Sequence, residues 1–139
     1  MNMSNDIVNL ITSLKMNRVL EQEYLRIACN LSMAEYRGIM SQEIGQEMTC
    51  MEMSEAMGLS PSRSSRVIDN LVKRGYFIRR ISTRDRRAVS VTLSEKGIEV
   101  KERIKINQKE LEESLQKEFS DEVINTIKGS LKMLLEYFD

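Results

Sequence analysis

The 139-residue chain contains no histidine, and this absence excludes several kinds of functional site. Without an imidazole the chain cannot form a Ser-His-Asp or Cys-His nucleophile system, and a transition-metal site would lack its commonest ligand. The sequence also lacks a phosphate-binding glycine loop and the regular spacing of metal ligands. We therefore expect a protein that is not an enzyme and that needs no cofactor and no metal.

Long hydrophobic runs are also missing. No apolar run approaches the roughly 18 to 20 residues that a membrane-spanning helix requires, and the start, MNMSNDIVNL, lacks the basic and apolar regions of a signal peptide. We expect a soluble, cytoplasmic protein that does not bind a membrane. The two cysteines, Cys29 and Cys50, are then expected to be reduced and inert. A sensor of oxidants that uses Cys29 or Cys50 is the alternative.

The net charge of the whole chain is zero, but its distribution is uneven. Residues 60–87 carry nine basic and two acidic side chains, whereas residues 1–59 and 88–139 have net charges of −4 and −3. One fifth of the chain therefore holds the whole positive excess, which favours a polyanionic partner at that segment.

Proline occurs once and glycine six times, so helices are the default expectation. The length and the lack of a Pro- or Gly-rich joint predict a single domain, 1–139. Apolar spacing and capping residues predict six helices in it. The predicted helices begin near Ile7, Ser32, Thr49, Ser60, Ser94 and Ser120 and end near Ala28, Gly45, Gly58, Gly75, Glu118 and Phe138. The pairs Ser32/Glu35 and Thr49/Glu52 each fit a capping box.

Two β-rich runs, 76–81 and 88–93, flank the arginine-dense segment STRDRR and predict a hairpin. In the second run Val89, Val91 and Leu93 alternate with Ser90 and Thr92, which predicts one apolar and one polar face. The order of elements predicts a mainly α protein, with a winged helix-turn-helix at 32–93 that has a two-stranded β wing.

A recognition helix presents the side chains at its N-terminus to base edges in the major groove of DNA. Helix 60–74 occupies this position, so we expect its first turns to read bases and Lys73 to contact phosphates. Arginines at the tip of the wing, 82–87, are expected to enter a minor groove. Asp85 is expected to pair with a neighbouring arginine and to hold the tip in one shape. The candidate DNA-binding residues are Ser62, Arg63, Ser65, Arg66, Lys73, Arg84, Asp85, Arg86 and Arg87.

The segments LSPSRSSRVIDNLVKRGYFIRR and TRDRRAVSVTLSEKG resemble the winged helix-turn-helix core of the MarR family of bacterial transcriptional regulators. The wing pattern of that family is Asp-x-Arg, a Val-x-Leu strand and Ser/Thr-Glu-Lys-Gly. It corresponds here to Asp85, Arg87, Val91, Leu93, Ser94, Glu95, Lys96 and Gly97. The resemblance implies a homodimer formed by long terminal helices, 1–31 and 94–139, and a pseudo-palindromic operator. It also implies that Arg87 is the arginine inserted into the minor groove.

Members of this family often bind small aromatic molecules between the dimerisation and DNA-binding regions, so the resemblance implies a small aromatic effector. Tyr24, Tyr36, Met40 and Met53 are candidates for lining its pocket, and the alternative is that the methionines fill the core. We predict a dimeric, ligand-responsive repressor that binds double-stranded DNA. A winged-helix protein-interaction module without sequence-specific DNA binding is the alternative function.

Overall fold

The computed structural model describes residues 6–17 and 30–139. The helices of this part are α1 (Ile7–Lys15), α2 (Met33–Ser41), α3 (Cys50–Met57), α4 (Pro61–Lys73), α5 (Glu95–Glu118) and α6 (Asp121–Phe138). The strands are β1 (Met48–Thr49), β2 (Phe77–Ile81) and β3 (Val89–Leu93), and they form one antiparallel sheet in the order β1-β3-β2. The chain divides into two compact units between Ile104 and Lys105. The predicted mainly α, winged helix-turn-helix fold is confirmed.

Local hydrogen bonds set the starts of α2 and α3, as the sequence predicts. The Ser32 hydroxyl accepts from the backbone N–H of Glu35 at 3.1 Å, and the Glu35 carboxylate accepts from the N–H of Ser32 at 3.2 Å. Thr49 and Glu52 make the same reciprocal pair at the start of α3, at 3.2 and 3.4 Å. Both predicted capping boxes are thus confirmed. They stabilise the starts of α2 and α3 because they satisfy N–H groups that the first helical turn leaves free.

The predicted end of α2 at Gly45 is wrong, since the helix ends at Ser41. Gln42 is extended and fully buried, and its side-chain amide donates to the carbonyl oxygen of Val91 in β3. The buried ammonium of Lys101 in α5 donates to the carbonyl oxygens of Met40 and Gln42. The end of α2 is therefore set by contacts with a strand and a helix that lie far along the chain.

The core of the first unit lies where α4 packs on α2, α3 and the sheet. Ile68 and Leu71 of α4 are fully buried in it. A β-carbon added at Gly38 in α2 would lie 2.9 Å from Cδ1 of Leu71, so the two helices approach closely there. The other members of this core are Leu31, Ile39, Met48, Met53, Met57, Tyr76, Phe77, Val91, Leu93, Val100 and Ile104.

The sheet has one strand more than the sequence predicts. Two residues, Met48 and Thr49, form β1 and pair with Val91 and Ser90 of β3. Because β3 is the central strand, Ser90 is buried, whereas Val89 is exposed near the wing. Ser90 is therefore buried although it lies on the polar side of the strand, and Val89 is exposed although it lies on the apolar side.

Helix α1 begins at the predicted position but is short. The carboxylate of Asp6 caps it by accepting from the N–H of Asn9 at 2.9 Å, and the last helical residue is Lys15. The sequence predicts one helix as far as Ala28, but α1 ends before Met16. Residues 18–28 of the predicted helix lie outside the described residues. All apolar side chains of α1 are exposed, namely Ile7, Val8, Leu10, Ile11 and Leu14.

The second unit, Lys105–Asp139, contains the end of α5 and the whole of α6. Ser120 caps α6 as predicted, by accepting from the N–H of Val123 at 3.3 Å, and Lys128 pairs with Glu112 at 3.2 Å. Helix α6 has no buried residue, and an open apolar hollow lies between the two helices. No helix in the described part of the chain is long and apolar enough to cross a membrane.

Candidate nucleic-acid interface

The N-terminus of α4 displays small and cationic side chains on its outer surface. Ser60 caps the helix, with its hydroxyl accepting from the N–H of Arg63 at 3.4 Å, and Pro61 occupies the first helical position. Ser64 is fully buried on the side that faces the core. The four predicted base readers all lie on the exposed side, namely Ser62, Arg63, Ser65 and Arg66. The partial positive charge of the helix N-terminus adds to the charge of the two arginines.

Ion pairs divide the basic side chains of this segment into two groups. Arg74 pairs with Glu35 at 2.9 Å, Arg79 pairs with Asp69, and Arg84 pairs with Glu52 at 2.9 Å. Another group is exposed and makes no salt bridge within residues 6–17 and 30–139, namely Arg63, Arg66, Lys73, Arg80, Arg86 and Arg87. The start of α4 and the tip of the wing therefore keep cationic groups available for an anionic partner.

The wing, residues 82–87, is closed by its own backbone. The N–H of Ser82 donates to the carbonyl oxygen of Ala88 at 2.9 Å, and the N–H of Ala88 donates to that of Asp85 at 3.0 Å. The Asp85 carboxylate accepts from the backbone N–H of Arg87 at 3.0 Å. The predicted ion pair of Asp85 with a neighbouring arginine is thus replaced by a turn, which shapes the tip and leaves the Arg87 guanidinium exposed.

Glu47, just before β1, holds the start of the wing. Its carboxylate accepts from the backbone N–H of Thr83 at 2.8 Å and from the hydroxyl of Ser82 at 3.0 Å. The same Ser82 hydroxyl accepts from the N–H groups of Arg84 and Asp85 at 3.2 and 3.3 Å. The hydrogen bond from Thr83 is the main reason that the pKa of Glu47 is lowered, with smaller contributions from the hydroxyls of Ser82 and Thr83.

Arg84 connects the wing to α3. One guanidinium nitrogen, Nη2, lies 2.9 and 3.0 Å from the two carboxylate oxygens of Glu52 and 3.4 Å from the carbonyl oxygen of Glu47. This hydrogen bond from Arg84 is the main cause that lowers the pKa of Glu52, and the same contact raises the pKa of Arg84. The structure therefore separates Arg84 from Arg86 and Arg87, with which the sequence groups it.

The motif after β3 closes the C-terminal end of α4. The Ser94 hydroxyl donates to the carbonyl oxygen of Gly75, and the Lys96 ammonium donates to that of Arg74 at 2.8 Å. Lys96 also lies 4.5 Å from the centre of the Tyr76 ring. A β-carbon at Gly97 would overlap the carbonyl oxygen of Tyr76, so this position has no room for a side chain. The Ser-Glu-Lys-Gly motif thus holds the C-terminal end of α4 against the start of α5.

The model of the MarR family matches residues 31–89, which contain α2, α3, α4, β2 and most of the wing hairpin. The winged helix-turn-helix segment of the chain is therefore similar to the MarR family. Over 48 residues it is 46% identical to the transcriptional repressor MprA of Escherichia coli K12. This match covers 34% of the chain and 27% of MprA, so the chain spans only about a quarter of that curated relative.

Solved structures of MarR-like regulators share this fold over nearly the whole chain. FabT of Streptococcus pneumoniae, solved in complex with DNA, superposes with a TM-score of 0.80 at 23% identity and 94% coverage of both chains. A MarR-like regulator of Thermotoga maritima gives a TM-score of 0.74 at 23% identity, covering 97% of this chain and 98% of the other. At these identities the likeness shows the MarR fold.

The structure describes only some of the residues predicted for an effector pocket or an oxidant sensor. Met53 is fully buried in the core, and Tyr36 and Met40 pack against that core, which favours the view that the methionines fill it. Cys50 is half-buried at the first position of α3. Tyr24 and Cys29 lie outside the described residues. Among the described residues, no group of three acidic or cysteine side chains is arranged to hold a metal ion.

Three side chains of this region were not identified as wing contacts from the sequence. Glu47 and Ser82 have no local signal, and Glu52 is recognisable only as a helix cap. Glu47 and Glu52 lie more than 30 positions along the chain from their partners in the wing. Their placement also depends on β1, whose two residues are too few to be predicted from a sequence pattern.

Proposed function

We propose that the protein is a dimeric, sequence-specific DNA-binding transcriptional regulator that acts as a ligand-responsive repressor in the cytoplasm. Helix 60–74 would enter the major groove of a pseudo-palindromic operator, and the wing 82–87 would enter the minor groove. One observation carries this proposal. Cationic side chains without salt bridges in the described structure are collected at the start of α4 and at the wing tip, while neighbouring arginines are paired.

The first two turns of α4 suit base reading. Ser62 and Ser65 are small, so the helix can approach the base edges, and Arg63 and Arg66 can each donate to the O6 and N7 acceptors of guanine. Lys73 is exposed in the last turn of the same helix and would contact a phosphate. Such phosphate contacts position the helix without selecting a sequence.

The wing suits a minor groove. Arg86 and Arg87 are exposed at a tip whose backbone is held by the Asp85 turn, so little conformational freedom is lost when they bind. A narrow A·T-rich minor groove has an enhanced negative potential that attracts guanidinium groups. The similar protein FabT was solved in complex with DNA, which supports DNA as the partner of this fold.

The exposed apolar residues support a homodimer. Helix α1 and the unit Lys105–Asp139 both display apolar side chains that nothing in the described chain covers, including Leu14, Ile127, Leu131 and Leu135. Burial of such surface contributes about 25 cal/mol per Å², so a second copy that covers these helices would be stabilised. A two-fold axis would place two recognition helices about 34 to 36 Å apart, one turn of DNA.

Ligand response is proposed as a population shift. A small aromatic effector that binds better to one separation of the recognition helices would favour that separation and weaken operator binding. Tyr36 and Met40, which are partly buried beside the core, are the described residues that could contact it.

A footprint on the promoter of the protein's own operon tests the proposal. We expect a protected site with two-fold symmetry, and we expect Arg66→Ala to weaken that site by about 1 to 3 kcal/mol while sequence-independent binding changes little. Asn70→Ala, at an exposed position of the same helix, is the matched control. Binding that ignores base sequence would contradict the proposal and favour a protein-interaction module.

A further inference from the structure

We propose that Glu47 and Glu52 are positioning residues for the wing and that Arg84 is a tether to Glu52 and not a DNA contact. This inference rests on the proposed DNA-binding function. It gives a role to two acidic side chains beside a surface that binds a polyanion, where a carboxylate is otherwise unfavourable.

Glu52 is well suited to fix the place of another group, because its own position is already fixed. Its Oε2 atom accepts from the N–H of Thr49 at 3.4 Å as part of the capping box, and its Oε1 and Oε2 atoms lie 2.9 and 3.0 Å from Nη2 of Arg84. The cap limits the rotamers of Glu52, so Arg84 meets an anchor that belongs to the rigid start of α3.

Glu47 acts at the other end of the same segment. It accepts from the backbone N–H of Thr83 and from Ser82, whose hydroxyl in turn accepts from the N–H groups of Arg84 and Asp85. These contacts satisfy backbone groups of the wing before the tip begins. Two carboxylates on one side of the hairpin thus hold residues 82–84, while Arg86 and Arg87 remain exposed.

Neutralising Glu52 should change the affinity for DNA in opposite directions, depending on whether Arg84 contacts DNA or is held by Glu52. If Arg84 contacted DNA, then neutralising Glu52 would release that arginine and remove a repulsive charge, and affinity would stay the same or rise. If Glu52 positions the wing, then neutralising it lowers affinity although the protein becomes more positive. The two roles therefore predict opposite results for one substitution.

The first experiment needs no DNA. The full chain and its Glu47→Gln, Glu52→Gln and Glu55→Gln variants are treated with trypsin, and cleavage after Arg87 is followed by mass spectrometry. Glu55 is exposed on α3 and its side chain has no hydrogen bond or salt bridge among the described residues, so it is the matched control. We expect cleavage about two- to fivefold faster in the first two variants, because Glu52→Gln loses an exposed ion pair and Glu47→Gln loses the charge that strengthens the hydrogen bonds from Thr83 and Ser82. Unchanged rates in both would overturn the proposal, whether or not the protein binds DNA.

The second experiment measures the affinity of the same variants for the footprinted operator, with A·T or G·C base pairs where the wing lies. We expect Glu52→Gln and Arg84→Gln each to weaken binding about two- to fivefold on the A·T operator, with no further loss in the double variant. Unchanged or tighter binding by Glu52→Gln, or a salt slope lowered by about one in Arg84→Gln, would instead show that Arg84 contacts DNA.

Discussion

The two units of the chain use their apolar residues in different ways. In the first unit Ile68, Leu71 and Val91 are fully buried, and α4 packs on two helices and a sheet. In the unit Lys105–Asp139, α6 has no buried residue, and Leu131 is about half exposed. Both segments have helical apolar patterns. The difference teaches that such a pattern identifies an apolar face that needs a partner, and that the described part of the same chain need not supply that partner.

The largest expected effect tests the core of the first unit. Leu71→Ala removes a fully buried side chain that also contacts Gly38, so we expect a loss of about 2 to 5 kcal/mol in the free energy of unfolding. Chemical denaturation monitored by circular dichroism measures it at several protein concentrations. Because this core lies within one chain, the loss should be the same at each concentration, and a loss that disappears at high concentration would contradict this view.

The second prediction tests the other unit. Leu131→Ser should shift the equilibrium from dimer to monomer by about 1.5 to 3 kcal/mol, because a second copy is expected to bury this side chain. Analytical ultracentrifugation over a range of concentrations measures the shift. Lys132→Ser, at the neighbouring position, is the control and should leave the equilibrium unchanged. An unchanged dimer–monomer equilibrium in the Leu131 variant would show that a second copy does not bury this side chain.

The third prediction concerns the buried ammonium of Lys101. Lys101→Met keeps the apolar stem but leaves the carbonyl oxygens of Met40 and Gln42 without this donor. We expect a loss of about 1 to 3 kcal/mol in the free energy of unfolding. Thermal unfolding compared with Lys109→Met, at an exposed position of the same helix, measures it. Equal stability of the two variants would mean that these carbonyls find other donors.

The smallest expected effect is the pH dependence of the wing contacts. The pKa of Glu47 and that of Glu52 lie below the ordinary value of 4.5, so their contacts are complete above that pH and are lost as the pH falls through the lowered values. The amide resonance of Thr83, followed by NMR from pH 6 downwards, should change with a midpoint below 4.5. A midpoint at or above that value would show that the carboxylate of Glu47 is not held by Thr83.

Local chemistry explains which parts of the fold are predictable. Ser60 and Pro61 define the start of α4 within one helical turn, and Gly58 adopts the left-handed conformation, with φ of 64°, that ends α3 as expected. The end of α2 was not predictable in this way, because buried Gln42 and Lys101 decide it through bonds to distant elements. Gly45, the glycine expected to end α2, lies instead in the turn that follows, with φ of 81°.

In the candidate site, too, only the features that depend on nearby residues could be predicted from the sequence. The exposed position of Arg63 and Arg66 follows from their helical spacing relative to buried Ile68 and Leu71, so a single sequence was enough to place them. Arg84 could not be distinguished from Arg86 in the same way, since nothing local to STRDRR shows that a carboxylate of α3 lies beside one and not the other.

By itself the sequence determined the starts of the helices, the apolar faces and the concentration of positive charge in 60–87, because caps, periodicity and charge depend on residues only a few positions apart. Only the tertiary structure decided where α2 ends, that β1 exists and which arginines are already paired. These outcomes depend on contacts between side chains distant in the sequence, which exist only once the core has brought α2, α3, the sheet and the start of α5 together.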